Sequence, residues 1–464
     1  MKFLSLILLF IVGNIQVASA AKPVIMAYPG FGNLYLYKPN APIKRVVIFI
    51  SGDGGWNAGV ANIAFKIKDA GTLVIGVDIR EVFHMLNHAG GNCLYPAANF
   101  EAMSQFVQKK MAYETYTIPV LMGYSSGATL VYGLLAQAPE NTFRGGIVFG
   151  FCPDFAVNKP FCEGSGKFVS KKRIDGKGYD FGPAQRLAVP FISLQGMADQ
   201  ICNYKETVVF LRSVQGAQII TLPKVGHGYS VEDNWVPQFK TAYNALLKET
   251  AGTVPAKSEV AVPKLPVKIT DALAGTSSNA LVLLISGDGG FTGFDQQLAN
   301  LYAQKGMPVI GLNSLKYFWK QKAPQQTATD MLKLMNAYLL LWKKEKVILV
   351  GYSFGADVMP FIYNLLPLEF KPRVLSIALL SPSRSTDFEI HVADLFSFKT
   401  SPRKYSVIAE IERANNKALT CYFGKDEDDA PAAELAQKHV PVVFLEGGHH
   451  YTNGLQTVVN RSGP

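Results

Sequence analysis

Two pentapeptides place a serine between glycines: Gly123-Tyr124-Ser125-Ser126-Gly127 and Gly351-Tyr352-Ser353-Phe354-Gly355. Each follows an apolar run and precedes a helix-forming stretch. In that setting G-x-S-x-G makes a sharp strand-to-helix turn that lifts the hydroxyl above a sheet. Serine is a weak nucleophile and needs a base, with a third group to orient that base. In chain order serine, acid, histidine, the first set is Ser125, Asp199 in "GMAD" and His227 in "VGHGY". The second is Ser353, a carboxylate of "GKDEDDA" and His449 in "GGHHY". Alignment of the halves on their glycines puts Glu427 opposite Asp199 and favours it over Asp428. Asp426 also lies within reach, and His450 is an alternative base. The chain has only seven histidines, so the matched placement of two is informative.

Attack on an acyl carbon builds charge on the carbonyl oxygen, which must meet backbone amides. The residue after each serine, Ser126 or Phe354, offers one. The second is expected from "SGDGG", which occurs at Ser51–Gly55 and again at Ser286–Gly290, each copy ending a buried apolar run. Its glycines let the backbone approach a substrate closely, so Gly54, Gly55, Gly289 and Gly290 are the candidate oxyanion donors. The stretch is no phosphate loop, because no G-x-x-x-x-G-K-[ST] follows it. No cysteine spacing resembles a zinc site, and neither metal nor cofactor is expected.

The elements that must hold these groups recur in the same order in both halves. "MGYSSGA" matches "VGYSFGA", "LQGMADQ" matches "YFGKDED", and "VGHGY" matches "GGHHY". Short apolar runs such as "TLVIGVD" and "KVILVG" alternate with helical stripes such as Met331, Leu334, Met335, Tyr338, Leu341 and Trp342. This alternation argues for an α/β fold with parallel sheets covered on both faces, and for working residues at strand carboxyl ends. The expected organisation is a leader over 1–20, a first domain over 21–248, a linker over 249–268 and a second domain over 269–464. The leader reading rests on Lys2, the apolar run Phe3–Val12 and Ala18-Ser19-Ala20 as a cleavage site. It implies export.

Net charge is +10 with a pI near 9.1. Such a surface suits anionic phospholipid, where each nearby basic residue contributes about 1 kcal/mol. Nucleic acid is disfavoured, because export separates the chain from it and no basic-aromatic motif is present. Four of the five cysteines lie in the first half, where one or two disulfides are expected; Cys152 and Cys162 are nearest in sequence, although spacing does not set connectivity. Cys421, in "ALTCYF", reads as a buried thiol.

The second half resembles the bacterial VirJ/AcvB virulence-protein family through "ISGDGGFTGFD", "GLNSLKYFW", "VGYSFGADVMP" and "GGHHY", a set covering Leu281–Tyr451. The first half resembles a diverged copy, without the counterpart of Asp357 and without the "LKYFW" loop. The resemblance implies two tandem α/β-hydrolase-like domains, a periplasmic location and hydrolysis of the aminoacyl ester of lysyl-phosphatidylglycerol, with Ser353 and His449 at the catalytic positions. It also links the chain to virulence and type IV secretion, whose components are possible partners. A cationic lysyl group calls for aromatic faces or carboxylates, and Tyr317, Phe318, Trp319 and Asp357 are the candidates. A non-catalytic secretion adaptor is the competing reading, and a general carboxylesterase a narrower one.

Overall fold

The structure is a computed structural model that describes residues 22–68, 71–248, 261–391, 403–414, 419–428 and 430–463. The expected leader and most of the expected linker lie outside the described residues. The first half builds an eight-stranded sheet from β1 (Val24–Tyr28), β2 (Gly32–Tyr37), β3 (Arg45–Ile50) and β4 (Thr72–Val77), followed by β5 (Val120–Tyr124), β6 (Gly145–Phe149), β7 (Phe191–Gly196) and β8 (Ala217–Leu222). The order across the sheet is β1-β2-β4-β3-β5-β6-β7-β8, parallel except where β2 meets β1 and β4.

The second half repeats the plan with seven strands. These are β9 (Val267–Thr270), β10 (Ala280–Ile285), β11 (Val309–Leu312), β12 (Lys346–Tyr352), β13 (Val374–Leu380), β14 (Leu419–Gly424) and β15 (Val442–Leu445). Their order is β9-β11-β10-β12-β13-β14-β15, with only the β9 pairing antiparallel. The expected linker boundary is therefore corrected: β9 begins inside it, and Val262 and Leu265 already pack on the second core.

Alternation along the strands explains why they are apolar throughout. Val46, Ile48 and Ile50 of β3 enter one core, while Val47 and Phe49 enter the core on the opposite face. In β10, Leu281, Leu283 and Ile285 divide from Val282 and Leu284 in the same way. Side chains that alternate between two covered faces have no wet side, so the strand reads as a continuous hydrophobic run. With the serine-bearing turns between strand and helix, these are two α/β-hydrolase-like domains.

Two disulfides tie the first half, Cys93–Cys162 and Cys152–Cys202. The pair nearest in sequence, Cys152 with Cys162, does not form. Cys162 instead lies beside Leu94, whose carbonyl accepts from the Cys162 amide at 2.9 Å. Cys421 is free and buried, as expected. Among the described residues, no helix is long and apolar enough to cross a membrane.

The halves dock through Trp319. Its indole donates to the Tyr113 carbonyl at 3.0 Å, its ring lies 5.4 Å from that of Tyr116, and Lys109 sits over it at 4.7 Å. Lys109 also bonds the Trp319 carbonyl and pairs with Glu389 at 3.0 Å. Trp319→Ala should lower stability by about 3–5 kcal/mol and split the thermal unfolding of the halves into separate transitions, measurable by calorimetry. Peptide mapping without reductant should recover the 93–162 and 152–202 cross-links.

Candidate active site

The turn at each serine is set by backbone crowding. A Cβ on Gly351 would stand 2.4 Å from the Gly355 carbonyl oxygen, and one on Gly355 would stand 2.0 Å from the Ile285 oxygen. Gly123 and Gly127 face the same collisions in the first half, at 2.2 Å from the Gly127 oxygen and 2.4 Å from the Ser51 oxygen. The helices Ser126–Gln137 and Phe354–Leu365 thus cross the ends of β3 and β10 at backbone contact. The serines absorb the bend. Ser125 has φ 55° and Ser353 φ 51°, the left-handed region, which costs a non-glycine residue of order 1–3 kcal/mol.

Each serine meets its histidine and acid. In the first half His227 Nε2 lies 3.0 Å from Ser125 Oγ, and Nδ1 lies 2.9 and 3.1 Å from the Asp199 oxygens. The amides of Ile201 and Cys202 donate to Asp199 Oδ1 at 2.9 and 2.8 Å, so the Cys152–Cys202 bridge anchors the loop that presents the acid. Asp199, Cys202 and His227 are close enough to suggest a metal site, but Cys202 is spent in the disulfide and offers no thiolate.

In the second half His449 Nε2 lies 3.0 Å from Ser353 Oγ, and Nδ1 lies 2.7 Å from Glu427 Oε1. The other Glu427 oxygen accepts from Ser381 Oγ at 2.7 Å and the Gly424 amide at 3.1 Å. Ser381 is in turn 2.6 Å from the Tyr451 hydroxyl, which donates to the Tyr422 carbonyl. Asp426 and Asp428 are exposed, and Glu427 takes the position next to His449. His450 is not placed as the base: its Nδ1 lies 2.7 Å from the Tyr352 hydroxyl.

Burial works to raise the Glu427 carboxyl, but the bonds from His449, Ser381 and the Gly424 amide outweigh it and hold the group below its ordinary range. Burial likewise works to lower His449. The Glu427 hydrogen bond and charge outweigh it, and the imidazolium is held above its ordinary 6.5. The fixed anion thus stabilises the imidazolium that forms once neutral His449 has taken the serine proton, and it holds the ring in the tautomer that presents a bare Nε2 to Ser353.

The glycine-rich loops sit where expected, and three of the four expected donor amides are bonded within the loops. The Gly55 amide closes a turn onto Gly52 O at 2.8 Å, and Gly290 onto Gly287 O at 3.1 Å. Gly289 N donates to Asp288 Oδ1 at 3.0 Å, and Gly54 lies against Asn57. The residues resting on the serines are Gly52 and Gly287, whose added Cβ atoms would stand 2.9 and 3.4 Å from the Cβ of Ser125 and of Ser353. The amides of Asp53 and Asp288 come next in the chain after that contact. The first donors, Ser126 and Phe354, open their helices, where amides lack intrahelical partners. Ser126 Oγ is also bonded to Asp53.

The expected substrate contacts are corrected. Tyr317 donates to Asp330 Oδ2 at 2.6 Å, Phe318 is wholly buried against Phe354 and Phe388, and Trp319 lies in the interface between the halves. Asp357 is buried and accepts from the Ser383 amide and hydroxyl at 2.6 and 2.8 Å, so it positions a loop. Burial pushes its carboxyl up to about 7. Ser381 escapes the motif reading. The signal for Tyr451 is the tyrosine two residues after each histidine, Tyr229 and Tyr451, both with hydroxyls bonded beneath the site.

Gly355→Ala should cost about 3 kcal/mol or more or prevent folding, read by thermal denaturation. Ester hydrolysis by the second site should rise with pH through a midpoint above 6.5, because the base must be neutral. Glu427→Gln should lower that midpoint along with the rate, seen in a kcat/KM against pH profile.

The solved structures similar to this chain include Est1E from Butyrivibrio proteoclasticus, at 15% identity over 49% of this chain and 99% of that one, TM-score 0.35. Others are XC6422 from Xanthomonas campestris, described as an α/β serine hydrolase without lid (16%, 50% and 96%, TM-score 0.31), and butyrate-bound Est2 of Thermogutta terrifontis, described as a thermophilic esterase (15%, 52% and 98%, TM-score 0.33). Comparison with curated proteins finds no match. The family model for bacterial virulence protein (VirJ) matches residues 44–144 and 279–461, more than half of the chain, which therefore belongs to that family.

Proposed function

We propose that the chain is a serine hydrolase whose second half cleaves the aminoacyl ester of lysyl-phosphatidylglycerol at the periplasmic face of the inner membrane. The observation that carries the hydrolase reading is the unbroken relay from Ser353 Oγ through His449 to Glu427, at 3.0 and 2.7 Å, beneath the Phe354 amide at a helix start. In the reaction His449 Nε2 takes the proton of Ser353 as Oγ attacks the ester carbonyl. The Phe354 and Asp288 amides hold the oxyanion, and His449 returns the proton to the leaving lipid hydroxyl. Water, activated by the same imidazole, then attacks the acyl-enzyme and releases the amino acid. The lipid substrate follows from the resemblance, and the net charge of +10 suits docking on an anionic bilayer.

Ser353→Ala should reduce lysyl-phosphatidylglycerol hydrolysis by roughly 10⁴-fold or more, while Ser125→Ala retains most of it; release of lysine from vesicles measures both. Turnover of short-chain esters alone would favour a general carboxylesterase. Secretion phenotypes that survive Ser353→Ala would favour an adaptor.

A further inference from the structure

The helix Pro96–Lys110 of the first half turns one face toward the second site. Ala98, Glu101, Ala102 and Gln105 follow i, i+3, i+4, i+7 spacing and line a cavity of about 250 Å³. Asp288, Gly289 and His391 close it from the second half. Asp288 and Gly289 belong to the loop whose Gly287 rests on Ser353, so the cavity shares a wall with the loop that touches the nucleophile.

Its polar groups await a partner. Gln105 is only 3% exposed, and its Oε1 has no hydrogen bond among the described residues. A buried carbonyl without a donor costs free energy that an N–H donor entering the cavity would recover. Glu101 faces the same space within electrostatic reach of Asp288. The imidazole on the wall, His391, is already tied to Asp387 Oδ2 at 2.6 Å. Two carboxyl groups and an acceptor oxygen, with the Asn99 side chain beside them, are complementary to a primary ammonium, which brings three N–H donors and one positive charge.

We infer that this cavity between the halves is the subsite for an ammonium group on the acyl part of the substrate, with Glu101 and Gln105 of the first half as specificity residues for the second half's reaction. The inference rests on the reading of Ser353 as nucleophile. It explains what the first half contributes to that site, and it moves cation recognition from the "LKYFW" aromatics to a helix of the other domain. Burial and the charge of Asp288 push the Glu101 carboxyl up to about 8, and an arriving ammonium offsets both by favouring its ionised form.

The test compares kcat/KM for p-nitrophenyl 6-aminohexanoate and p-nitrophenyl hexanoate in the full-length wild-type, Glu101→Gln and Glu101→Asp proteins. The expected amino-to-neutral ratio is well above one in the wild type, about tenfold lower in Glu101→Gln and partly restored in Glu101→Asp. A second measurement needs no variant: n-pentylammonium should inhibit wild-type hexanoate hydrolysis competitively and at least tenfold more strongly than 1-pentanol. A ratio near one, a ratio unmoved by Glu101→Gln, or equal inhibition by amine and alcohol would overturn the subsite. A wild-type ratio well above one without turnover of lysyl-phosphatidylglycerol would retain the subsite and remove the lipid. Hydrolysis of neither ester would remove the nucleophile reading itself.

Discussion

The site depends on one contact, the crossing of a helix start over a strand end at backbone distance. With Gly355 pressed on the Ile285 carbonyl and Gly351 on the Gly355 carbonyl, no side chain fits at either position. The chain must reverse within one residue, and that residue is the serine. Its left-handed backbone is sustained because the central strands on both sides are fully buried and do not yield. The first half meets the same constraint with Gly123 and Gly127, which is why this feature is shared by both copies.

Around that fixed point the halves hold the acid by different means. The first half uses an aspartate, two amide donors and a disulfide; the second uses a longer glutamate, a serine hydroxyl and a tyrosine behind it. A glutamate reaches one methylene further, and the Ser381–Tyr451 pair removes the freedom this adds. In the first half Asp53 is bonded to the hydroxyl of Ser126, whose amide would face the oxyanion. In the second half the residue after the nucleophile is Phe354, which has no hydroxyl to bond the matching Asp288. The first half docks on the second: Trp319 is held by Tyr113 and Lys109, and one helix face closes the space beside Asp288 and Gly289.

What the sequence reveals here divides along physical lines. The serines, histidines and first acid are legible because backbone geometry demands glycine at fixed offsets and because the chain repeats itself. Glu427 is legible only through the internal alignment, since Asp426 and Asp428 carry the same chemistry one residue away. The turn that consumes the Gly55 and Gly290 amides is not legible, because a glycine that closes a turn and one that faces a ligand look alike. The disulfide pairing and the burial of Trp319 depend on contacts between segments distant in sequence. Glu101 and Gln105 lie on an ordinary amphipathic helix, and their meaning emerges only where the second half closes over them.

The most direct test of the central claim is to treat the full-length protein with a fluorophosphonate and locate the adduct by peptide mass spectrometry. A nucleophile activated by His449 and Glu427 predicts a phosphonyl group on Ser353, formed faster as pH rises through the His449 midpoint. Ester turnover that persists with Ser353 unmodified, or an adduct that forms at the same rate in His449→Ala, would contradict it.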